Sequence, residues 1–343
     1  ESAPTEAERV ELALQELERT GAFDRSWLMV VSPTGTGYVN YAAVSALEFL
    51  ARGDCATTAM QYAARPSVLS LSRVSEGRAH MKLLLDGIRD RLNARGGKRP
   101  KIVVFGESLG AWTSQDPFVD GGTQGLDDAG IDYAIWIGTP HFSKWKNQVL
   151  AGEPKNVDAS AFGVFNDIEE FRAVDADARK QLRFVMITHH DDGVALFGPE
   201  LTLQAPTWLG HPSTRPSSVP RGMRWVPTTT FFQVLTDMKN SANVVPGVFA
   251  AKGHDYRADL LPFFDAVLGF NETPERLAAI GSWLEARERM RSEWVKAHGD
   301  AGRSLSVSIL ERLFERERAA GRDPDSELLQ VIREVIAADL AAT

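Results

Sequence analysis

Between Lys101 and Trp112 the chain reads Lys-Ile-Val-Val-Phe-Gly-Glu-Ser-Leu-Gly-Ala-Trp, and this stretch constrains the fold more than any other. A short β-branched apolar run is the signature of a buried strand. It breaks off at Gly106-Glu107-Ser108-Leu109-Gly110, the Gly-x-Ser-x-Gly pattern of a strand-to-helix turn that lifts a serine hydroxyl above a sheet. Such a turn strains the serine backbone, and glycine two residues to either side lets neighbouring backbone pass close. The following helix points unpaired N–H groups and its positive dipole end at the serine. Acyl transfer needs that arrangement, because the attacked carbonyl oxygen becomes an anion. Ser108 is therefore the candidate nucleophile. In an ordinary loop the same motif would carry no such meaning; the preceding strand supplies the context.

The segments on either side set the fold class. Residues 4–20 carry Val10, Leu12, Leu14 and Leu17 among many Glu, an amphipathic lead-in helix. A first strand at Trp27–Val31 runs into the Gly-rich loop Ser32-Pro33-Thr34-Gly35-Thr36-Gly37-Tyr38, and a helix over 41–51 follows. A second strand over 56–62 and a long helix over 76–94 lead to the elbow strand. Further strands are expected at Tyr133–Ile137, at Leu182–Ile187 and within 244–251, the last ending at Gly253-His254-Asp255-Tyr256. Alternation of this kind predicts an α/β protein with a mostly parallel, doubly wound sheet. Two stretches break the rhythm, 147–180 and 194–243, and read as lid-like inserts over the site. Beyond 260 the chain turns helical and charged, with helices expected over 274–298, 304–321 and 325–342. The domain reading is a catalytic domain over 1–270 and a C-terminal helical extension, 271–343, packed on it.

Composition narrows the partners. A formal charge of −8 argues against nucleic acid, whose binders carry a basic patch. No apolar run is long enough to span a membrane, and no signal peptide is visible. Glu1 in place of an initiator Met suggests a trimmed chain. The single cysteine, Cys55, excludes an intrachain disulfide and reads as a buried, inert thiol.

A serine hydroxyl becomes a nucleophile when an imidazole takes its proton, and that imidazole needs a carboxylate to fix its tautomer. At the ends of parallel strands these groups follow in the order Ser, acid, His. Asp191 and Asp192 stand just past a strand, and His254 stands past the last one. Asp192 is preferred because Gly193 after it lets a turn swing the carboxylate inward; Asp191 stays open as the alternative, or as a cap or supporting acceptor. His254 is preferred over His189 and His190, which sit on the acid strand itself. A metal reading of His189-His190-Asp191-Asp192 is set aside, since adjacent residues on an extended backbone face opposite ways. No metal and no cofactor is expected. The loop at Thr34–Gly37 occupies the place of a second oxyanion donor, so the Thr36 and Leu109 amides are the candidate pair. A phosphate cradle is the weaker account, for the P-loop Lys and a third Gly are missing. Trp208, Trp225, Phe231 and Phe232 form either a hydrophobic substrate wall or the core of the second insert.

With these residues in hand, the chain resembles an α/β-hydrolase family of bacterial membrane proteins, in which a multi-helix membrane part precedes a hydrolase domain of about this length. The resemblance rests on Thr34-Gly35-Thr36-Gly37, Met60-Gln61-Tyr62, Val103-Val104-Phe105 leading into the Gly106-Glu107-Ser108-Leu109-Gly110 elbow, Trp136-Ile137-Gly138-Thr139-Pro140, Asp192 and its neighbours, Met223-Arg224-Trp225-Val226-Pro227, and Gly253-His254-Asp255-Tyr256. It implies an α/β-hydrolase fold, with Ser108 as nucleophile and Asp192 and His254 as its partners. It also implies a lipid or membrane-adjacent setting, for which the extracytoplasmic (periplasmic) side is favoured, and it gives no substrate. One departure stands out: Gly193 follows Asp192 where the family pattern has Pro, which would leave the turn looser.

The sequence thus points to a serine hydrolase or esterase acting on a small-molecule or lipid-linked ester through a covalent intermediate. The alternatives are a transferase that moves an acyl or sugar unit to an acceptor other than water, and a catalytically silent hydrolase fold that binds a lipid or a partner.

Overall fold

The computed structural model describes residues 3–63, 67–152, 156–213, 215, 219–240 and 244–319, with backbone alone at 67–69 and 298–319. The first half of the chain holds α1 (Glu6–Arg19), β1 (Trp27–Ser32), α2 (Tyr41–Leu50), β2 (Cys55–Ala59), α3 (Val74–Arg95), β3 (Lys101–Glu107), α4 (Leu109–Gln115) and α5 (Gly122–Asp128). Then come β4 (Tyr133–Ile137), α6 (Lys144–Leu150), β5 (Phe162–Phe165), α7 (Ile168–Ala173), α8 (Ala176–Arg179), β6 (Phe184–Ile187) and α9 (Gly193–Leu196). The last elements are α10 (Thr229–Asn240), α11 (Arg257–Leu268) and α12 (Pro274–Ala319).

The strands form one sheet in the order β2-β1-β3-β4-β6-β5, and every pair is parallel. Side chains alternate along each strand, so one run of apolar residues feeds two cores. Met29, Val31, Val103, Phe105, Ile135 and Ile137 face α2, α7 and α11. Leu28, Val30, Ile102, Val104, Ala134 and Trp136 face α1, α3, α4 and α6 on the other side. The parallel, doubly wound α/β sheet expected from the alternation is what the chain adopts.

The strand order also decides where a site can form. The chain runs from β1 outward to β2, then returns to lay β3 on the other flank of β1. The helix after β1 covers one face, and the helix after β3 covers the opposite face. Loops leaving neighbouring strands in opposite directions open a crevice at the carboxyl ends. The Gly-rich loop and the elbow both stand at this crevice.

Three expectations change. The 147–180 stretch is not a lid: its Phe162–Phe165 run pairs with β6 and closes the sheet edge. Four residues with a glycine among them gave too short a pattern to read as a strand. Conversely, 244–251 contains no strand. Pro246-Gly247 turns the chain there, with the Val248 amide on the Val245 carbonyl at 3.1 Å and Gly247 at φ +72°, leaving only an isolated bridge between Lys252 and Asp255. The C-terminal helices expected to break near 299–303 run on as one, Pro274–Ala319. The rest of the expected helix over 304–321, and that over 325–342, lie outside the described residues. The chain divides into two compact units, Glu1–Leu284 and Glu285–Thr343. The division falls inside α12 because Ile280 and Leu284 are buried in the core of the first unit. Among the described residues no helix is long and apolar enough to cross a membrane.

The α4–α6 side of the core depends on Trp136. Its ring is fully buried 5.1 Å from the Trp145 ring, and its indole donates to the Ser114 hydroxyl at 3.0 Å. Trp136→Ala is expected to lower the unfolding free energy by about 3–5 kcal/mol, read from the urea midpoint.

Candidate active site

Why glycine brackets the serine is visible in the packing. A Cβ on Gly106 would stand 2.6 Å from the Gly110 carbonyl oxygen and 2.7 Å from the Ala111 backbone. A Cβ on Gly110 would overlap the Ser32 carbonyl oxygen and stand 2.8 Å from that of Pro33. The first turn of α4 therefore lies directly on the end of β1, backbone against backbone. A hydrogen bond between the Ser32 and Thr113 hydroxyls, 2.6 Å long, clips the two together. Ser108 sits between these contacts at φ +55° and ψ −122°, a backbone conformation that a side chain rarely adopts. Its amide donates to the Ile137 carbonyl at the end of β4 at 3.0 Å, so the elbow is anchored to both neighbouring strands.

The oxyanion candidates retain free donors. In the Gly-rich loop the Thr34 amide donates to Tyr38 and the Gly37 amide to Thr34, while the Thr36 amide makes no hydrogen bond among the described residues. Ser70 holds the Gly35 carbonyl at 2.8 Å, which turns that peptide. The Leu109 amide opens α4 and likewise makes no hydrogen bond among the described residues.

On the other side of the crevice Asp192 meets the imidazole. Asp192 is fully buried; its Oδ2 lies 2.8 Å from His254 Nδ1 and accepts the Tyr256 hydroxyl at 2.7 Å, and its Oδ1 accepts the Val194 amide at 2.8 Å. Asp191 turns away and accepts the Gly253 amide at 2.9 Å, bracing the residue before His254. Gly193 does not loosen this turn. A Cβ there would stand 2.6 Å from the Met238 amide nitrogen, because the end of α10 crosses the acid loop. Neither Pro nor any side chain fits under that crossing. Gly138 performs a similar service for the histidine: it has φ +56°, and a Cβ would stand 2.7 Å from His254 Nδ1. Since Gly138 directly follows Ile137, which is paired with Glu107, the imidazole lies beside the strand end next to the elbow. The Ser108 hydroxyl makes no hydrogen bond among the described residues, a looseness common in unliganded catalytic sites.

The charges in the crevice oppose its burial. For Asp192, burial pushes the pKa up, but the His254 charge and the bonds from His254, Tyr256 and Val194 outweigh it and hold the carboxyl below its ordinary value. For His254, burial pushes down, but Asp192, with lesser help from Glu107 and Asp255, holds the ring above its ordinary value. Asp192 thus stabilises the fold above pH about 3.9 and loses that contribution as pH falls through its depressed pKa. His254 contributes below pH about 6.5 and loses it as pH rises through its elevated pKa. Glu107, bonded by the Asn40 amide at 3.1 Å, is raised by burial. Lys146 is buried at the end of β4, where its amine donates to the Thr139 carbonyl at 3.0 Å and burial pushes it down to about 8.

The four aromatics of the second insert do not assemble into one wall. Phe231 packs on Phe197 at 5.1 Å and touches Phe232, which is exposed; the Trp225 indole donates to the Leu201 carbonyl at 2.9 Å. Among the described residues no ring contact joins Trp208 or Trp225 to them. Another aromatic pair starts one helical turn past Ser108: Trp112, with the half-exposed Phe142 stacked on it at 6.0 Å. His141 beside Phe142 pairs with Glu200 at 3.1 Å, tying the β4 loop to the second insert. An aromatic within the helix that follows the elbow, and another just past Gly138-Thr139-Pro140, were the available signal for this pair. Among the described residues no group of three or more His, Cys, Asp or Glu gathers to hold a metal.

Gly110→Ala is expected to cost about 1–3 kcal/mol in urea unfolding, because the opposing atoms are backbone and cannot retreat. Gly222→Ala, where a Cβ meets open space, is expected to stay within about 0.5 kcal/mol of the parent.

Comparison with known proteins agrees with this architecture. A solved acetylxylan esterase shares 14% identity over 47% of this chain and 81% of its own, with a TM-score of 0.29, too slight a likeness to bear on the chemistry. No curated protein matches. The profile described as the alpha/beta-hydrolase family matches residues 1–280. With a parallel sheet in this order and a strained serine between two close-packed glycines, the chain belongs to the alpha/beta-hydrolase family.

Proposed function

We propose that the chain is a serine esterase that cleaves an ester through an acyl-Ser108 intermediate. The observation that carries the reading is the Asp192–His254 bond at 2.8 Å, set beside the strand end from which Ser108 projects. With Nδ1–H given to Asp192, the lone pair of the imidazole lies on Nε2, where a serine proton can go. Ser108 Oγ attacks the ester carbonyl carbon and passes its proton to His254 Nε2. The carbonyl oxygen, now an anion, takes the Leu109 and Thr36 amides. Collapse breaks the carbon–alkoxy bond, and His254 returns the proton to the departing alcohol. Water then repeats the sequence on the acyl-enzyme, releasing the acid and restoring Ser108. A lipid or lipid-linked ester is the substrate class we propose, since the family resemblance implies a lipid or membrane-adjacent setting. The exposed Phe142, Leu203 and Phe232 side chains are compatible with it.

Labelling of the protein by a fluorophosphonate is expected and should vanish in Ser108→Ala; persistent labelling of that variant would remove the reading. Asp192→Asn is expected to lower ester turnover by about 10⁴-fold, since the imidazole loses the partner that fixes its tautomer. Because His254 accepts a proton only when neutral and its pKa is held high, turnover should rise with pH through a midpoint above about 6.5. A midpoint below that value would contradict the assignment.

A further inference from the structure

A second buried histidine–aspartate pair stands behind the first. The His189 ring, 2% exposed, has Nδ1 at 2.8 Å from the Gly253 carbonyl and Nε2 at 3.0 Å from Asp259 Oδ2 on α11. A carbonyl oxygen only accepts, so Nδ1 carries a hydrogen. The remaining contact then needs a proton as well, either on Nε2 or on Asp259. Without it, two lone pairs would face each other across 3.0 Å in a site that excludes water. The pair therefore holds one proton more than a neutral imidazole and a carboxylate.

What this proton secures is the loop that carries His254. Gly253 is gripped from both sides, its carbonyl by His189 and its amide by Asp191. Tyr256 stacks on the His189 ring at 4.1 Å between ring centres and 16° between planes, accepts the His189 amide at 3.2 Å, and donates to Asp192. One ring thus touches the residue before His254 and the tyrosine that holds its carboxylate. We propose that His189 is a positioning residue whose protonated pair with Asp259 clamps the 253–256 loop and aligns the Asp192–His254 couple. The inference rests on the esterase reading for its kinetic consequences, though not for the proton itself.

The surroundings are consistent with retention of that proton. Facing the ring are Asp259 from α11, Asp191 from its own loop and Tyr256; Asp167 and Asp255 lie around Asp259. Burial opposes a charged His189, but Asp259 and the Gly253 carbonyl outweigh it and raise its pKa; burial likewise raises that of Asp259. The clamp is therefore closed at low and neutral pH and opens as pH rises through the elevated value.

The test uses the full chain carrying ¹⁵N-histidine and His254→Ala, which removes the neighbouring ring whose pKa is also raised. One ring should stay doubly protonated well above pH about 6.5, and Asp259→Asn should abolish that signal. A neutral His189 ring facing an ionised Asp259 carboxylate at pH 7, with aspartate titration read alongside, would overturn the clamp. In the protein with His254 intact, the rate of fluorophosphonate labelling should fall at alkaline pH. Asp259→Asn should remove that alkaline limb, because an amide can donate to a neutral Nε2 and keep the contact without a proton. His189→Ala should slow labelling by about 10- to 100-fold at all pH values. An alkaline limb unchanged by Asp259→Asn would also overturn the proposal. Absence of labelling in the parent protein would strike the esterase reading alone, and the histidine titration would still decide the clamp.

Discussion

Two stretches of backbone, the end of β1 and the first turn of α4, lie so close that nothing larger than hydrogen fits between them. The rest of the site depends on this crossing. Because Gly110 rests on Ser32 and Gly106 rests on Ala111, α4 must leave β3 abruptly, and Ser108 is forced to positive φ. A strained residue persists only where its surroundings over-determine it. Here they do: strand pairing on both flanks, the Ile137 carbonyl on the Ser108 amide, and the Ser32–Thr113 hydroxyl pair all fix the turn. The same crossing places the Gly-rich loop, which continues from Ser32, beside the start of α4.

The acid–histidine side is built on a different principle. No regular strand carries His254; the residues before it form turns. Its position comes from buried polar groups that satisfy one another: Asp191 and His189 on Gly253, Tyr256 on Asp192, Asp192 on His254. Burial makes an unpaired member of such a network costly, which favours a single arrangement. Rigid backbone sets Ser108, and hydrogen bonding sets His254. The two halves meet where Gly138 yields its side-chain space to the imidazole.

Much of this was legible in the chain. Strands β1, β3, β4 and β6, the helices between the early strands, and the serine elbow all followed from apolar runs and glycine placement. The polar partners did not. Asp192 was preferred over Asp191 only on the glycine that follows it; two adjacent identical residues left the alternative open until His254 and Gly253 took one each. His189 looked like a residue of the acid strand and nothing more, since Asp259 and Gly253 reach it only after the chain has folded. The run Val244-Val245-Pro246-Gly247-Val248-Phe249 looked like a strand on composition, although its Pro-Gly already signalled the turn that the structure contains. Phe162–Phe165 was missed for the opposite reason, a pattern too short to register but rescued by pairing with β6.

The sequence by itself determined a parallel sheet between two helical layers and a serine presented at one strand end, because side-chain period and glycine placement are local properties. Tertiary structure alone decided which helix forbids a side chain at position 193 and which second histidine braces the loop, and it closed the choice between two adjacent carboxylates. Those outcomes depend on distances between segments far apart in the chain, and such distances are set by how the layers pack, not by any neighbouring residue.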